Sequence, residues 1–350
     1  MIETLTPNWP KPALSEDRDP ASSDSCSSQV AYWLAVAIVA FSTNVLGAAQ
    51  QVADPDFDPS VELPAYVAEH PRIIMDEAHH NLHTMEGRYR PLAQLLAHDG
   101  YDVTPGRAKL SAATLQPARV LVISNARGAD RRPRDVEPAF TASECDAVRE
   151  WVREGGSLLL IADHAPFGKA SHDLALRFGV EMYPGYAFDP KNSEDDPTFL
   201  VFSQENGLLA DHPVTRGRNE HERVRRIVAF TGQSLSVPPG ATALMRFAPS
   251  AREVDSYANI DRALSSLGSG SENSTVAGHL RPITGRAQGV ALVFGKGRVI
   301  VMGEAAMFSA QVLKSNQAGK PPLRFGMNTP GNDDRQFALN AIHWLSGAIP

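Results

Sequence analysis

At 350 residues, 43% hydrophobic and 21% charged, the chain has the composition of a globular protein with a full core, which excludes a disordered one. Its net charge of −7 argues against a polyanionic partner, so no nucleic-acid ligand is expected. The one notable basic run, Arg127 to Arg134, reads as a solvated loop.

In chain order, residues 1–29 form a polar tail rich in Ser, Pro and Asp. An apolar run, Val30 to Phe41, follows within a 30–49 segment. A spanning helix needs ~20 apolar residues, so the shorter run reads as the h-region of a signal peptide, with Gly47 and Ala49 before a cleavage at Gln50. The tail carries five acids against two bases, where a signal wants a positive start, so an uncleaved membrane anchor is the other reading. Either way the expectation is an exported protein, periplasmic or envelope-anchored, touching membrane only through this segment. Residues 50–70 read as a Pro/Asp-rich linker. After cleavage only Cys145 would remain, which leaves no internal disulfide.

Patterned sequence then fills 71–350. "RIIM" (Arg72–Met75), "YDVTP" and "ARVLVISNA" read as strands, and "RYRPLAQLLAHDG" as a helix closed by Gly100. Thr141 and Glu144 form a capping box that opens a helix with Cys145, Val148 and Val152 on one face. "SLLLIADH" is a further buried strand, and a short helix ends at Gly179. Continuous apolar strands alternating with helices predict an α/β fold: a doubly wound, mostly parallel sheet with helices on both faces. An irregular, β-containing excursion is expected at about 186–285. A C-terminal hairpin turning at Gly295–Gly297 and a last helix with Phe337, Ile342 and Leu345 in its apolar stripe complete the plan.

Polar residues collect where strands end, the place where open α/β sheets bind ligands. After "RIIM" come Asp76, Glu77, His79, His80, Asn81 and His83; after "RVLVIS", Asn125; after "SLLLI", Asp163 and His164; after "RVIVMG", Glu304. Three roles fit. His79 and His83 are spaced i, i+4 and on a helical turn would share a face, as zinc ligands do, so a divalent metal is one expectation. Asp76, Glu77, Asp163, His164 and Glu304 could instead carry protons for hydrolysis by water, with His80, Asn81, Asn125 and Phe167 binding a small-molecule or sugar ligand. The same residues could anchor loops by buried hydrogen bonds or serve a non-catalytic envelope module that binds a sugar, a peptide or a partner protein. No G-x-S-x-G, Walker A or dinucleotide fingerprint is present, and Cys145 lies on an amphipathic helix.

The segments "DEAHHNLHTMEGRYRPLAQLLAHDGYDV", "LVISNA", "FTASECDAVREWVREGGSLLLIADHAPFGKA", "VFGKGRVIVMGEAAMFSAQ" and "RQFALNAIHWL" together resemble an uncharacterised bacterial family. It is a domain of unknown function grouped with the class I glutamine-amidotransferase-like fold. The resemblance implies a flavodoxin-like sheet between helices. It does not bring cysteine-dependent glutaminase chemistry, because the turn after "SLLLI" holds Asp163 and His164 where those enzymes place a cysteine.

Overall fold

Short apolar strands with side chains buried on both faces build the centre of the molecule. The computed structural model describes residues 51–128, 137–269, 280–313 and 322–350; the segment 30–49 lies outside them. Nine strands form the main sheet: β1 (Arg72–Asp76), β2 (Asp102–Gly106), β3 (Val120–Ser124), β4 (Ser157–Ile161), β5 (Met182–Tyr183), β6 (Ser234–Leu235), β7 (Thr242–Arg246), β8 (Ala287–Phe294) and β9 (Gly297–Met302). Their order is β2-β1-β3-β4-β9-β8-β6-β5, with β7 also paired to β8.

The first five strands in that order are mutually parallel, and β8 then turns antiparallel to β9 through the hairpin expected at Gly295. β5, β6 and β7 continue the antiparallel half. The fold is thus mixed α/β, parallel over five strands and antiparallel over four, rather than mostly parallel. Two strands of the excursion expected at 186–285, β6 and β7, complete the main sheet. Its remaining strands form two small antiparallel sheets. One holds Leu280–Pro282, Arg252–Val254 and Tyr186–Phe188; the other pairs Phe199–Ser203 with Arg226–Phe230.

Alternate residues of each central strand serve two cores. Val120, Val122, Leu159, Ile161 and Ile300 face Leu92, Leu95 and Leu96 of helix α1 (Arg90–His98). Phe337, Ile342 and Leu345 join them from a later helix, Asp334–Ser346. Leu121, Ile123, Leu158, Leu160 and Val299 face Cys145, Val148 and Val152 of α2 (Ala142–Arg153) and Leu174 of α3 (Phe167–Leu176). Burial on both sides is why these strands read as unbroken apolar runs.

The stretch read as a linker is part of the fold. Gln51–Ala53 pairs antiparallel with Ala310–Leu313, and the buried Asp54 carboxylate meets Arg324 at 2.6 Å. Gln51–Ala53 has no apolar pattern of its own, so only its distant partner reveals it. No helix among the described residues is long and apolar enough to cross a membrane.

Leu159 is fully buried in the central strand β4. Leu159→Ala is expected to lower the unfolding free energy by about 2–5 kcal/mol, the cost of a core leucine plus the cavity it leaves. Urea denaturation checks this, and a loss well under 1 kcal/mol would contradict the core assignment.

Candidate functional site

Parallel pairing brings the carboxyl ends of β1, β3, β4 and β9 to one edge, and the strand order reverses between β1 and β3. Crevices at such reversals are where open α/β sheets take ligands. The polar residues expected at this rim sort into two sets.

The first set is closed. Asp76, at the end of β1, is 2% exposed, and both its carboxylate oxygens lie 2.9 Å from His79 Nδ1. His79 Nε2 lies 3.0 Å from Glu144 Oε1. Asn81 donates from Nδ2 to Asp76 Oδ2 at 3.0 Å and to the Ser124 carbonyl at 3.2 Å, while its Oδ1 accepts the His79 N–H at 3.1 Å. Glu144 also completes the capping box of α2, accepting from the Thr141 N–H and hydroxyl. With a carboxylate at each ring nitrogen, His79 donates twice and carries its proton. Burial alone would lower its pKa, but Asp76 and Glu144 outweigh burial and raise it. Burial likewise works against the Glu144 charge, yet the Thr141 and His79 hydrogen bonds bring its pKa down to about 2.

The structure does not bring His79 and His83 together on one helical face. The segment from Glu77 to Thr84 is not helical, so the i, i+4 spacing of His79 and His83 gives no shared face. His79 is bound by carboxylates, and His83 points its Nδ1 to Ser124 Oγ at 3.0 Å while stacking on Tyr89. Among the described residues no group of three or more His, Cys, Asp or Glu is arranged to hold an ion. Glu77 is a loop anchor, accepting the Met85 N–H at 2.9 Å and facing Arg107. His80 is exposed and offers its carbonyl to Arg127. Phe167, expected in a binding role, is 3% exposed in the core beneath α3.

The second set gathers around Asp163. Its backbone N–H donates to Asn125 Oδ1 at 2.9 Å, and its Oδ1 accepts the His164 N–H at 2.7 Å. The His164 ring stacks on Tyr186 with centroids 4.5 Å apart, and its Nε2 lies 4.0 Å from Asp163 Oδ1. Burial raises the Asp163 pKa, opposed by His164 and by the half-buried guanidinium of Arg88. Glu304 is fully buried below, its two oxygens accepting the Ala306 and Met307 N–H groups at 2.6 and 2.9 Å. Burial first, and then the Asp163 charge, push its pKa well above the carboxylate range. Burial and the opposing carboxylate both disfavour ionisation of the pair, most strongly at the fully buried Glu304. Burial, with Arg88 and His164 adding to it, keeps His83 neutral.

The floor of this set is built by residues the sequence did not single out. Gln233 donates from Nε2 to the Ala162 and Asp163 carbonyls at 2.5 and 3.0 Å, and Gln288 donates to the Thr231 carbonyl. Buried polar atoms of Asn125, Thr231, Gln233 and Gln288 have no hydrogen-bond partner among the described residues. Among the described residues three non-glycines have left-handed backbone, His80, Asn125 and Thr231, and Asn125 and Thr231 directly follow strands here. Such conformations cost roughly 1–3 kcal/mol each and gather at functional sites. A side chain on Gly303 would strike the Gln233 carbonyl at 2.2 Å, which is why the strand meets this floor as glycine. Cys145, by contrast, is core, its thiol pushed up to about 11 by burial.

A family model matches residues 89–318, and the chain belongs to that family, DUF4350, a domain of unknown function. No curated protein matches it. Among solved structures, the mmIFT52 N-terminal domain is similar at 13% identity and a TM-score of 0.51, with 78% of this chain and 97% of that one covered. A ThuA-like protein from Bacteroides uniformis is 13% identical over 83% of this chain and 95% of its own, at a TM-score of 0.38. At these identities a likeness speaks for the fold alone.

The closed set makes a signed prediction. The His79 contribution to stability is fully present below its ordinary 6.5 and is lost as pH rises through the raised folded value. The Glu144 contribution is present above its ordinary 4.5 and is lost as pH falls toward about 2. His79→Gln should therefore show its largest melting-temperature deficit between 4.5 and 6.5, shrinking on both sides. A deficit independent of pH would contradict the imidazolium clamp.

Proposed function

We propose that the rim around Asp163 is the active site of an exported hydrolase acting on a small polar substrate, on a doubly wound, amidotransferase-like domain without that class's cysteine. One observation carries this reading: Asp163, on the rim just after β4, interacts electrostatically with a half-buried arginine, Arg88, and with a fully buried glutamic acid, Glu304, that follows the neighbouring β9. Ion pairs made only for stability rarely combine a strained turn, orphaned polar atoms and two carboxyls at odds over a proton.

In this reading Asp163 is the general base. Its carboxylate takes a proton from water, whose oxygen attacks an acyl or glycosyl-type carbon. Arg88 faces the negative charge that builds on the substrate oxygen, and His164 delivers a proton to the leaving group. Glu304 acts through Asp163: while protonated it adds no repulsion, and when it ionises it disturbs the base. The burial-raised Asp163 pKa places the acid limb of the rate profile above the ordinary carboxylate value of 3.8. The alternative is a binding module that uses the same rim to hold a sugar, peptide or partner without turnover.

The test is a panel of small esters, amides and glycosides with the full chain, alongside thermal-shift screening. Asp163→Asn should reduce kcat/KM by at least about a hundredfold, the usual scale of a general base, with the melting temperature nearly unchanged. Glu304→Gln, which imitates the protonated acid, should keep the acid limb and most of the activity. Ligands that raise the melting temperature yet come back chemically intact across the whole panel would overturn the hydrolase in favour of the binder.

A further inference from the structure

Away from the rim, a groove of about 690 Å³ runs between the 189–192 turn, the 248–252 segment and helix Ile260–Ser269. Its wall is mainly apolar, from Pro190, Pro249, Leu264 and Leu267. Leu267 is 40% exposed, one of few large apolar side chains among the described residues that stand that far into solvent. Isolated exposed leucines need no explanation, but one lining a concave, largely apolar wall has a use.

Lys191 and Arg252 also line this groove. Among the described residues neither has a carboxylate partner, in a chain whose net charge is −7. Arg252 is held in place by donation from Nη1 to the Pro249 and Ala251 carbonyls at 2.7 and 2.9 Å. The turn beside it is set in advance: buried Asp189 accepts the Lys191 and Asn192 N–H groups at 2.9 and 3.2 Å, and Asn192 bridges to Ser250. Lys191 and Asn192 also form the wall of an adjoining groove of about 730 Å³, whose Arg225 and Arg226 are already paired with Glu220 and Glu194. Of the cations lining the two grooves, those without a carboxylate partner among the described residues are therefore Lys191 and Arg252, both in the wall of the apolar groove.

We propose that this groove binds a small amphipathic anion, an apolar body lying on Leu264 and Leu267 with its carboxylate toward Lys191 and Arg252. Burying the apolar body supplies the affinity, and the unpaired cations select the sign of the head group. The site is independent of the Asp163 rim.

Calorimetric titration of the full chain with decanoate and with 2-naphthoate tests it, the two probes separating an acyl body from an aromatic one. At least one should bind saturably, while decyltrimethylammonium, with the opposite head group, should not. Leu267→Asp and Lys191→Glu, both at surface positions, should each weaken binding about tenfold or more, equivalent to about 1.4 kcal/mol, with unchanged melting temperature of the free protein. Asp163→Asn should bind as tightly as the unmodified chain. Absence of saturable binding by both anions, equal binding of the cationic probe, undiminished affinity in both groove variants, or loss of binding in Asp163→Asn would each overturn the proposal.

Discussion

The strand-end rim depends on one buried cation. His79 is an imidazolium held between Asp76 and Glu144, and it joins the end of β1 to the first turn of α2. Asn81 extends the join to β3 through the Ser124 carbonyl. Taking three charged groups out of water costs several kcal/mol each, and the cost is met only where the partners complete one another's hydrogen bonds. Here every partner does so, which makes the cluster a rigid corner. The loop that leaves it carries His83 and Tyr89 to Ser124 at the end of β3 and to the Ala305 carbonyl beyond β9.

That corner separates two kinds of polar residue that look alike along the chain. Asp76 and His79 have used their hydrogen-bonding capacity on each other and on Asn81 and Glu144. Around Asp163 the balance differs: two carboxyls oppose each other's ionisation, a guanidinium stands half-buried, and several buried amide and hydroxyl atoms lack partners among the described residues. Preorganised sites hold groups in states they would not choose in water, and the strained backbone at Asn125 and Thr231 is part of how this one is held. The floor of Gln233 and Gln288 comes from the antiparallel half of the molecule, so the two halves of the sheet meet at the site.

Much of the rim was legible along the chain. Apolar runs located β1, β3, β4 and β9, and the rule that ligands gather at strand ends picked out Asp163, His164, Asn125 and Glu304. The helix caps were equally legible, because Thr141 and Glu144 carry their signal within four residues. Other partners were not. Glu144 reads as a cap and nothing more, since its second oxygen finds His79 from 65 positions away. Nothing near Arg88 in the chain points it toward Asp163, 75 positions away. Gln233 and Gln288 lie in stretches whose polar residues carry no local pattern. The histidine spacing misled because it presumed a helix, and the chain instead loops from β1 to α1.

By itself the sequence determined what short-range physics can: which runs must be buried on both faces, where helices start and stop, and that the polar residues fall at strand ends. Those properties depend on neighbours within a few residues. Tertiary structure alone decided that Gln51–Ala53 closes a distant edge, that half the sheet is antiparallel, and that His79 is enclosed by two carboxylates while Asp163 meets a buried carboxyl and a guanidinium. These outcomes depend on which distant groups arrive at the same place, and a carboxylate's charge state is set by its surroundings rather than by its residue type.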